Sequence, residues 1–195
     1  KMKFELGVLF LKANPTTDFA IKTINPSSDF SSNYNYKETN NAAYSNLSGT
    51  IKKVNYAIGL RVENTIAKGK NASESNLVID KNYTNFFPKL EIEVPIDSTN
   101  TMTFNYAKSI SRPNYSSTSQ ISIYTNPYLV YSRNINLNPT ITDEISGTFL
   151  YKDKSVKLYL YRSKDPVNFA FSYDSTVNLI TFNSINYAKE SGIDL

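Results

Sequence analysis

The chain repeatedly alternates apolar residues with polar or small ones, and this alternation constrains its fold more than any other feature. Successive side chains of a β-strand point to opposite faces, so each run predicts a strand with one apolar and one polar face. Long strands of this kind, joined by alternately short and long connections, are typical of a membrane β-barrel. The clearest run sets five apolar side chains, Val54, Tyr56, Ile58, Leu60 and Val62, against Asn55, Ala57, Gly59, Arg61 and Glu63.

The alternation predicts eight long strands. A short extra strand is expected at Phe19–Ile24, and the last strand is expected to be bulged near Gly192. Strands of more than ten residues exceed the roughly 5–6 residues that are usual in soluble proteins. The predicted long strands are Met2–Leu11, Lys37–Lys52, Val54–Thr65, Phe87–Val94, Thr101–Ser109, Thr140–Tyr151, Ser155–Phe171 and Val177–Leu195.

The predicted connections alternate in length. An up-and-down meander places all short turns at one rim and all long loops at the other. The expected fold class is therefore an all-β, antiparallel, up-and-down transmembrane β-barrel. The short connections are Lys52–Asn55, Pro95–Asn100 and Lys152–Lys154, and the long ones are Lys12–Tyr36, Ala67–Asn82 and Ile110–Pro139.

Composition excludes several kinds of functional site. The 195 residues include no His and no Cys, which excludes disulfides, imidazole or thiolate metal sites and Ser-His or Cys-His nucleophiles. Glu91 and Glu93 share one strand face, but no cleft is evident around them, so catalysis is not expected. The net charge of +4 is spread along the chain without a basic run, which speaks against nucleic acid as a partner. The sequence thus predicts neither an enzyme nor a cofactor or metal site.

The chain contains no apolar stretch of the roughly 18–20 residues that a membrane helix needs. It begins at Lys1 and ends at Leu195 inside alternating strands. We therefore expect it to be an internal piece of a longer protein.

Seven short segments resemble successive motifs of the outer-membrane β-barrel family of TonB-dependent receptors of Bacteroidetes-type bacteria. Their order and spacing resemble the family over the whole chain. Two parts of the longest loop, Ser117–Ile121 and Arg133-Asn134-Ile135, depart from the family pattern. The similar segments are Tyr36-Lys37-Glu38, Ala42-Ala43-Tyr44, Tyr56–Asn64, Phe86–Leu90, Phe104–Tyr115, Leu137-Asn138-Pro139 and Ser191–Leu195.

This resemblance implies a barrel of about 22 strands, plugged by an N-terminal domain. Residues 1–195 would then form a partial outer-membrane barrel domain without the plug. Such receptors, energised by TonB, import siderophores, vitamins, glycans or peptides across the outer membrane of Gram-negative bacteria. The implied partners are outer-membrane lipid and lipopolysaccharide, TonB through an N-terminal part missing from this chain, and a surface lipoprotein or larger outer-membrane complex. The long loops are expected at the cell surface.

The barrel interpretation assigns roles to individual residues. Lipid-facing residues are expected to be Tyr56, Ile58, Leu60, Leu90, Ile92, Met102 and Phe104. Lumen-facing or plug-facing residues are expected to be Arg61, Glu63, Lys89, Glu91 and Glu93. Ligand-binding loop residues are expected to be Arg112, Tyr115 and Arg133, since a guanidinium binds anionic groups bidentately. Alternatively, Arg112 pairs with loop carboxylates and fixes the loop, and Arg61 with Glu63 forms an ordinary ion pair.

Two other functions fit the same alternation. The even strand number allows a complete small eight-stranded outer-membrane barrel with a structural role. The alternating faces also allow a soluble all-β adhesin or carbohydrate-binding module, whose apolar faces would pack a core. The three interpretations differ in the surroundings of the apolar face and in whether the first and last strands pair.

Overall fold

The computed structural model describes residues 1–21, 30–71, 79–114, 122–132, 134 and 136–195. These residues form β-strands, turns and irregular segments, and no helix among them is long and apolar enough to cross a membrane. The strands are β1 (Met2–Ala13), β2 (Thr16–Ile21), β3 (Phe30–Ile51), β4 (Val54–Asn71), β5 (Ile79–Pro95), β6 (Asn100–Ser111), β7 (Ser122–Asn126), β8 (Leu129–Ser132), β9 (Thr140–Tyr151), β10 (Lys154–Lys164), β11 (Val167–Asp174), β12 (Leu179–Asn186) and β13 (Lys189–Asp194).

The large sheet is an antiparallel meander in the order β1-β3-β4-β5-β6-β9-β10-β13. β1 pairs with the second half of β3, and β2 pairs with the beginning of β3, so β2 extends the line of β1. The predicted antiparallel meander of about eight strands is confirmed. Within the described ranges, β1 pairs only with β3 and β13 only with β10, so the sheet does not close on itself.

The two rims of the sheet differ in the length of their connections. Residues 52–53, 96–99 and 152–153 make short turns at one end, here called the short-turn rim. The opposite end, the long-connection rim, carries the connections 72–78, 112–139 and 165–188, and also the segment between β1 and β3. Asp97 shapes one short turn by accepting hydrogen bonds from the Asn100 side chain at 2.6 Å and the Thr99 backbone N–H at 2.8 Å. These bonds lower the pKa of Asp97 to about 2.

Three strands extend further toward the long-connection rim than the sequence predicted. β3 begins at Phe30, β4 continues to Asn71 and β5 begins at Ile79. The predicted loops Lys12–Tyr36 and Ala67–Asn82 are therefore wrong over much of their length. The added residues are mostly polar, and backbone pairing with a neighbouring strand keeps them extended without an apolar alternation.

The predicted seventh and eighth strands, Ser155–Phe171 and Val177–Leu195, are wrong as single elements, because each divides into two strands. Asp165 has a φ of 55°, and Pro166 after it cannot donate a backbone hydrogen bond. These two residues separate β10 from β11, and residues 187–188 separate β12 from β13. The predicted bulge near Gly192 is also wrong, because Gly192 pairs in regular register with Tyr161.

At the long-connection rim, β11, β12, β8 and β7 form a second sheet in that order, here called the loop sheet. β8 and β12 pair in parallel, and the other two pairs are antiparallel. The predicted irregular stretch Ile110–Pro139 therefore contains two strands, β7 and β8. The predicted extra strand Phe19–Ile24 corresponds to β2, Thr16–Ile21, and residues 22–24 lie outside the described ranges.

The strand register gives the large sheet two chemically distinct faces. The apolar face carries Ile58, Leu60 and Phe104, which are 49%, 43% and 45% exposed. The polar face carries Arg61 and Glu63, and it holds most of the buried residues. The small hydrophobic core packs on this face near the long-connection rim, where Tyr34, Ala67 and Ile79 meet. Large apolar side chains thus remain exposed while polar side chains are buried.

Gly192 provides a test of aromatic packing on the polar face. The Tyr161 ring lies over Gly192, and its hydroxyl donates to Glu190 Oε1 at 2.8 Å, so a shift of the ring would disturb this hydrogen bond. A Cβ at position 192 would overlap the ring, and we expect Gly192→Ala to lower the free energy of unfolding by about 1–2 kcal/mol. Urea unfolding in detergent micelles measures the change. Gly147→Ala is the matched control, because its nearest neighbour is the Phe104 ring at 3.9 Å. Equal effects of the two substitutions would contradict the prediction.

Candidate functional site

The structure separates two of the predicted residue sets onto opposite faces of the large sheet. Arg61, Glu63, Lys89, Glu91 and Glu93 share the polar face, as the Cα pairing of β4 with β5 requires. The other set shares the apolar face across β4, β5 and β6. It comprises Tyr56, Ile58, Leu60, Leu90, Ile92, Met102 and Phe104.

Glu63 is the centre of a charged cluster on the polar face. Its side chain is only 4% exposed. Asn40 on β3 donates its amide to Glu63 Oε1 at 2.8 Å, and Arg61 Nη1 lies 3.5 Å from Glu63 Oε2. The Arg61 guanidinium also lies over the Phe87 ring, 4.7 Å from its centroid. Glu63 is thus a buried carboxylate held by partners on its own strand and on the neighbouring strand.

Arg112 joins this cluster from the end of β6. Its guanidinium forms an ion pair with Glu63 Oε1, donates to Thr65 Oγ1 at 3.1 Å, and has Nε 3.9 Å from Glu38 Oε1. Since β5 lies between β4 and β6 in the sheet, the Arg112 side chain crosses over β5 on the polar face. Tyr36 completes the network by donating its hydroxyl to Glu38 Oε2 at 2.6 Å. We call Glu38, Asn40, Arg61, Glu63, Thr65 and Arg112 the charged cluster.

The connection between β6 and β9 folds against the same face. Lys81 on β5 donates its ammonium to the Leu137 carbonyl at 2.6 Å, and the Leu137 side chain is 2% exposed. Pro113 and Pro139 lie beside this contact. Arg112 and Lys81 therefore hold both ends of the connection, at residues 112 and 137, against the polar face.

The structure describes only one of the three residues predicted to bind ligand. Arg112 lies in the charged cluster, whereas Tyr115 and Arg133 fall outside the described ranges. Their ligand-binding role stays a prediction. Sequence analysis missed the buried contribution of Asn40 and Thr65, which lie opposite each other on β3 and β4. Only the strand register could have indicated this pairing, because both residues lie in polar segments without a local motif.

The loop sheet presents an aromatic surface next to the charged cluster. The Phe169 and Phe182 rings stack with centroids 4.6 Å apart, and Phe171 and Tyr131 contact Phe182 at 4.6 and 5.2 Å. Phe169 and Phe171 remain 51% and 71% exposed. A cavity of about 310 Å³ lies where this surface meets the end of β6, and its lining includes Arg112, Tyr131 and Phe169. Ligand sites in proteins span about 300–1,000 Å³, so this cavity has the volume of a small-molecule site.

A second cavity, of about 340 Å³, lies on the polar face closer to the short-turn rim. Its lining includes Asn46, Arg61, Phe87 and Lys89. The whole lining contains three cationic and two aromatic residues. In the described ranges, no group of three or more carboxylates is arranged to hold a metal ion.

Comparisons with known proteins identify the family. A model of the outer membrane protein beta-barrel family matches residues 1–195. Among solved structures, the copper transporter OprC is similar with a TM-score of 0.70 and 12% identity, covering 98% of this chain and 32% of that one. The Serratia marcescens hemophore receptor HasR, a double mutant in complex with its hemophore HasA and heme, gives a TM-score of 0.63 and 14% identity, covering 98% and 39%.

The chain spans about a third of the length of these two solved structures. A comparison with curated protein sequences found no match. Both structural neighbours are TonB-dependent receptors, so the predicted fold class, a segment of a larger outer-membrane barrel, is confirmed. The chain belongs to the outer membrane protein beta-barrel family, and its strands form part of a barrel wall like those of TonB-dependent receptors.

Proposed function

We propose that this chain is one sector of the barrel wall of a TonB-dependent outer-membrane transporter. The main support for the proposal is that polar side chains are buried and large apolar side chains are exposed, the reverse of the distribution in a soluble protein. Glu63 and Thr65 are buried on the polar face, whereas Phe4, Val8 and Val156 on the apolar face are 61–67% exposed. A soluble protein rarely leaves so much contiguous apolar surface in water. In a membrane, the same surface faces hydrocarbon.

The dimensions of the apolar band support lipid contact. On β4 the band runs from Val54 to Val62, close to the roughly 9–11 residues with which a tilted strand crosses a membrane. From β4 to β6, the edge of the apolar band that lies nearer the long-connection rim moves toward the short-turn rim. Val62, the last apolar residue of the β4 band, pairs with Phe86, whereas Tyr106, the corresponding edge of β6, pairs with Leu90. Tilted strands produce such a shift, since a horizontal lipid boundary crosses each strand at a different residue.

The polar face then lines the lumen, where a plug domain would contact it. Arg61, Glu63, Lys89, Glu91 and Glu93 are the proposed lumen residues. The cavity near Arg61 and Lys89 offers cations to an acidic plug segment, and Phe87 is part of its lining. Tyr56, Ile58, Leu60, Leu90, Ile92, Met102 and Phe104 are the proposed lipid-facing residues.

The long-connection rim is proposed to face the cell exterior. There the cavity between the loop sheet and Arg112 would receive the ligand, a siderophore, vitamin, glycan or peptide. Exposed aromatic rings such as Phe169 bind planar or apolar ligand surfaces, and the Arg112 guanidinium favours anionic groups. This sector has no His and no Cys, so it supplies neither imidazole nor thiolate to a copper ion of the kind that OprC transports.

The open edges of the sheet disfavour a complete eight-stranded barrel. β1 and β13 do not pair with each other in the described part of the chain. Unpaired backbone groups at such edges are costly in hydrocarbon, and further strands are needed to satisfy them. We therefore propose that the native barrel contains strands beyond this chain.

The intact mass of the native gene product, extracted in detergent from the outer-membrane fraction, tests this proposal. We expect a membrane product several times larger than 22.0 kDa. A membrane product near 22.0 kDa would instead support a closed small barrel, and a soluble product would support an adhesin.

The transport role has its own test, which compares a deletion strain with the same strain carrying the full gene. Uptake of ferric catecholate, haem, cobalamin and maltoheptaose is measured separately, in cells with and without a functional TonB. Restored uptake of one compound only when TonB is functional supports transport. Equal uptake of all four by both strains, or restored uptake that persists without TonB, contradicts it.

A further inference from the structure

Two lysines oppose each other on the apolar side of the large sheet, just beyond the hydrophobic band. Lys164 on β10 and Lys189 on β13 are direct Cα partners, and Arg162 precedes Lys164 by two residues on the same face. Neighbouring strands lie about 4.8 Å apart, and like charges directly opposite each other are destabilising. All three side chains are exposed. We call Arg162, Lys164 and Lys189 the cationic patch.

Two carboxylates near the cationic patch have other partners. Asp143 is the Cα partner of Arg162, but it accepts the Tyr106 hydroxyl at 2.8 Å and lies 3.9 Å from Lys108 Nζ. Glu190 follows Lys189 in the chain but lies on the opposite face, where it accepts the Tyr161 hydroxyl. Among the ion pairs of the described residues, none includes a member of the cationic patch. Within the described residues, no ion pair therefore neutralises its positive charge.

The apolar band continues directly below the cationic patch. Leu160 and Ile193 are Cα partners, and Leu160 lies two residues closer to the short-turn rim than Arg162. The two side chains are 36% and 76% exposed. Moving from this pair toward the long-connection rim, the surface changes from apolar to cationic within a few residues. An amphiphile with acyl chains and a phosphate head group is complementary to both parts.

We propose that the cationic patch binds a phosphate of lipid A, the lipid part of lipopolysaccharide, with the acyl chains packed on Leu160 and Ile193. This inference rests on the proposed function, in which the long-connection rim faces the exterior and its lipids form the outer leaflet. The Arg162 guanidinium binds phosphate oxygens through paired hydrogen bonds, and the two lysines add point charges. A phosphate placed between Lys164 and Lys189 replaces their mutual repulsion with two attractions.

The test measures lipopolysaccharide that copurifies with the full-length receptor from outer membranes. Arg162, Lys164 and Lys189 are replaced together by serine, and lipid A per receptor is quantified by mass spectrometry after detergent washing. We expect a decrease of about tenfold, since loss of one charge-assisted hydrogen bond is worth that factor or more. The matched control replaces Lys1, Lys53 and Lys154, three exposed lysines near the short-turn rim, and should retain lipid A.

Each alternative result has a distinct meaning. Unchanged lipid A in both variants would overturn the inference while leaving the transporter proposal intact. Loss of lipid A only in the control would overturn the inference together with the proposed orientation of the rims. Displacement of lipid A by inorganic phosphate in the washing buffer would show that the patch takes free phosphate, which also overturns it.

Assembly of the barrel is monitored by the heat-dependent shift in electrophoretic mobility. If the triple variant fails to assemble, the single variants Lys164→Ser and Lys189→Ser replace it, because each removes one of two opposed like charges. Both are expected to assemble and to lose lipid A by a smaller factor than the triple variant. Full retention of lipid A by both assembled single variants would overturn the inference.

Discussion

Replacing Ile58 with arginine is expected to lower the free energy of unfolding by about 2–4 kcal/mol, the cost of a charge near the membrane midplane. Ile58 lies halfway along the apolar run Val54–Val62 and is 49% exposed on the apolar face. Leu60→Arg, closer to the edge of the band, is expected to cost less, because an arginine there reaches the interface. Outer-membrane yield and urea unfolding of the full-length receptor in lipid vesicles measure both effects.

Ala57→Arg is the matched control for this prediction. Ala57 neighbours Ile58 on β4 but lies on the polar face, where its Cα partners are Ser48 and Glu91. An arginine at position 57 therefore has a carboxylate within reach on β5, and we expect a change within about 0.5 kcal/mol. Equal losses of stability for Ile58→Arg and Ala57→Arg would contradict lipid contact of the apolar face.

Glu63→Gln is expected to have the second largest effect. The substitution keeps the size of the side chain but removes the charge that pairs with Arg61 and Arg112. Removing one partner of a buried ion pair costs about 3–5 kcal/mol. The two arginine side chains are 41% and 24% exposed, so water compensates part of this loss. We therefore expect a decrease of about 2 kcal/mol in the free energy of unfolding, again within the range for breaking buried networks.

Limited proteolysis shows which part of the molecule loses stability in Glu63→Gln. Because Arg112 holds the start of the connection between β6 and β9, Glu63→Gln should increase the rate of limited proteolysis within residues 112–139. Glu91→Gln is the control, since Glu91 is exposed on the same face and belongs to none of the ion pairs in the described ranges. Similar proteolysis rates for both variants would contradict the anchoring role of the charged cluster.

The alternation of residues predicted the faces of the large sheet well, because it directly reflects the period of a strand. It failed where strands continue beyond the apolar band, as at Phe30 and Asn71, since backbone pairing alone extends them there. It also missed the break at Asp165-Pro166. Proline is an available signal for such a break, but the apolar residues on both sides, Leu160 and Val167, gave a continuous pattern.

The charged cluster could be predicted only in part. Arg61 and Glu63 are two residues apart on one strand, so sequence alone places them on one face. Arg112 reaches Glu63 across an intervening strand, and this contact depends on the register of three strands together. The loop sheet depends on a parallel pairing between two connections, and the four-residue strand β8 is too short for its alternation to indicate that pairing.

The parallel pairing of β8 with β12 has a mechanical consequence. β8 belongs to the connection after β6, and β12 belongs to the hairpin after β10, so four paired residues, Leu129–Ser132 with Ile180–Asn183, fasten two separate loops to each other. These backbone hydrogen bonds would have to break before one loop could move independently of the other. We therefore expect a displacement of either connection to be transmitted to the other through this pairing.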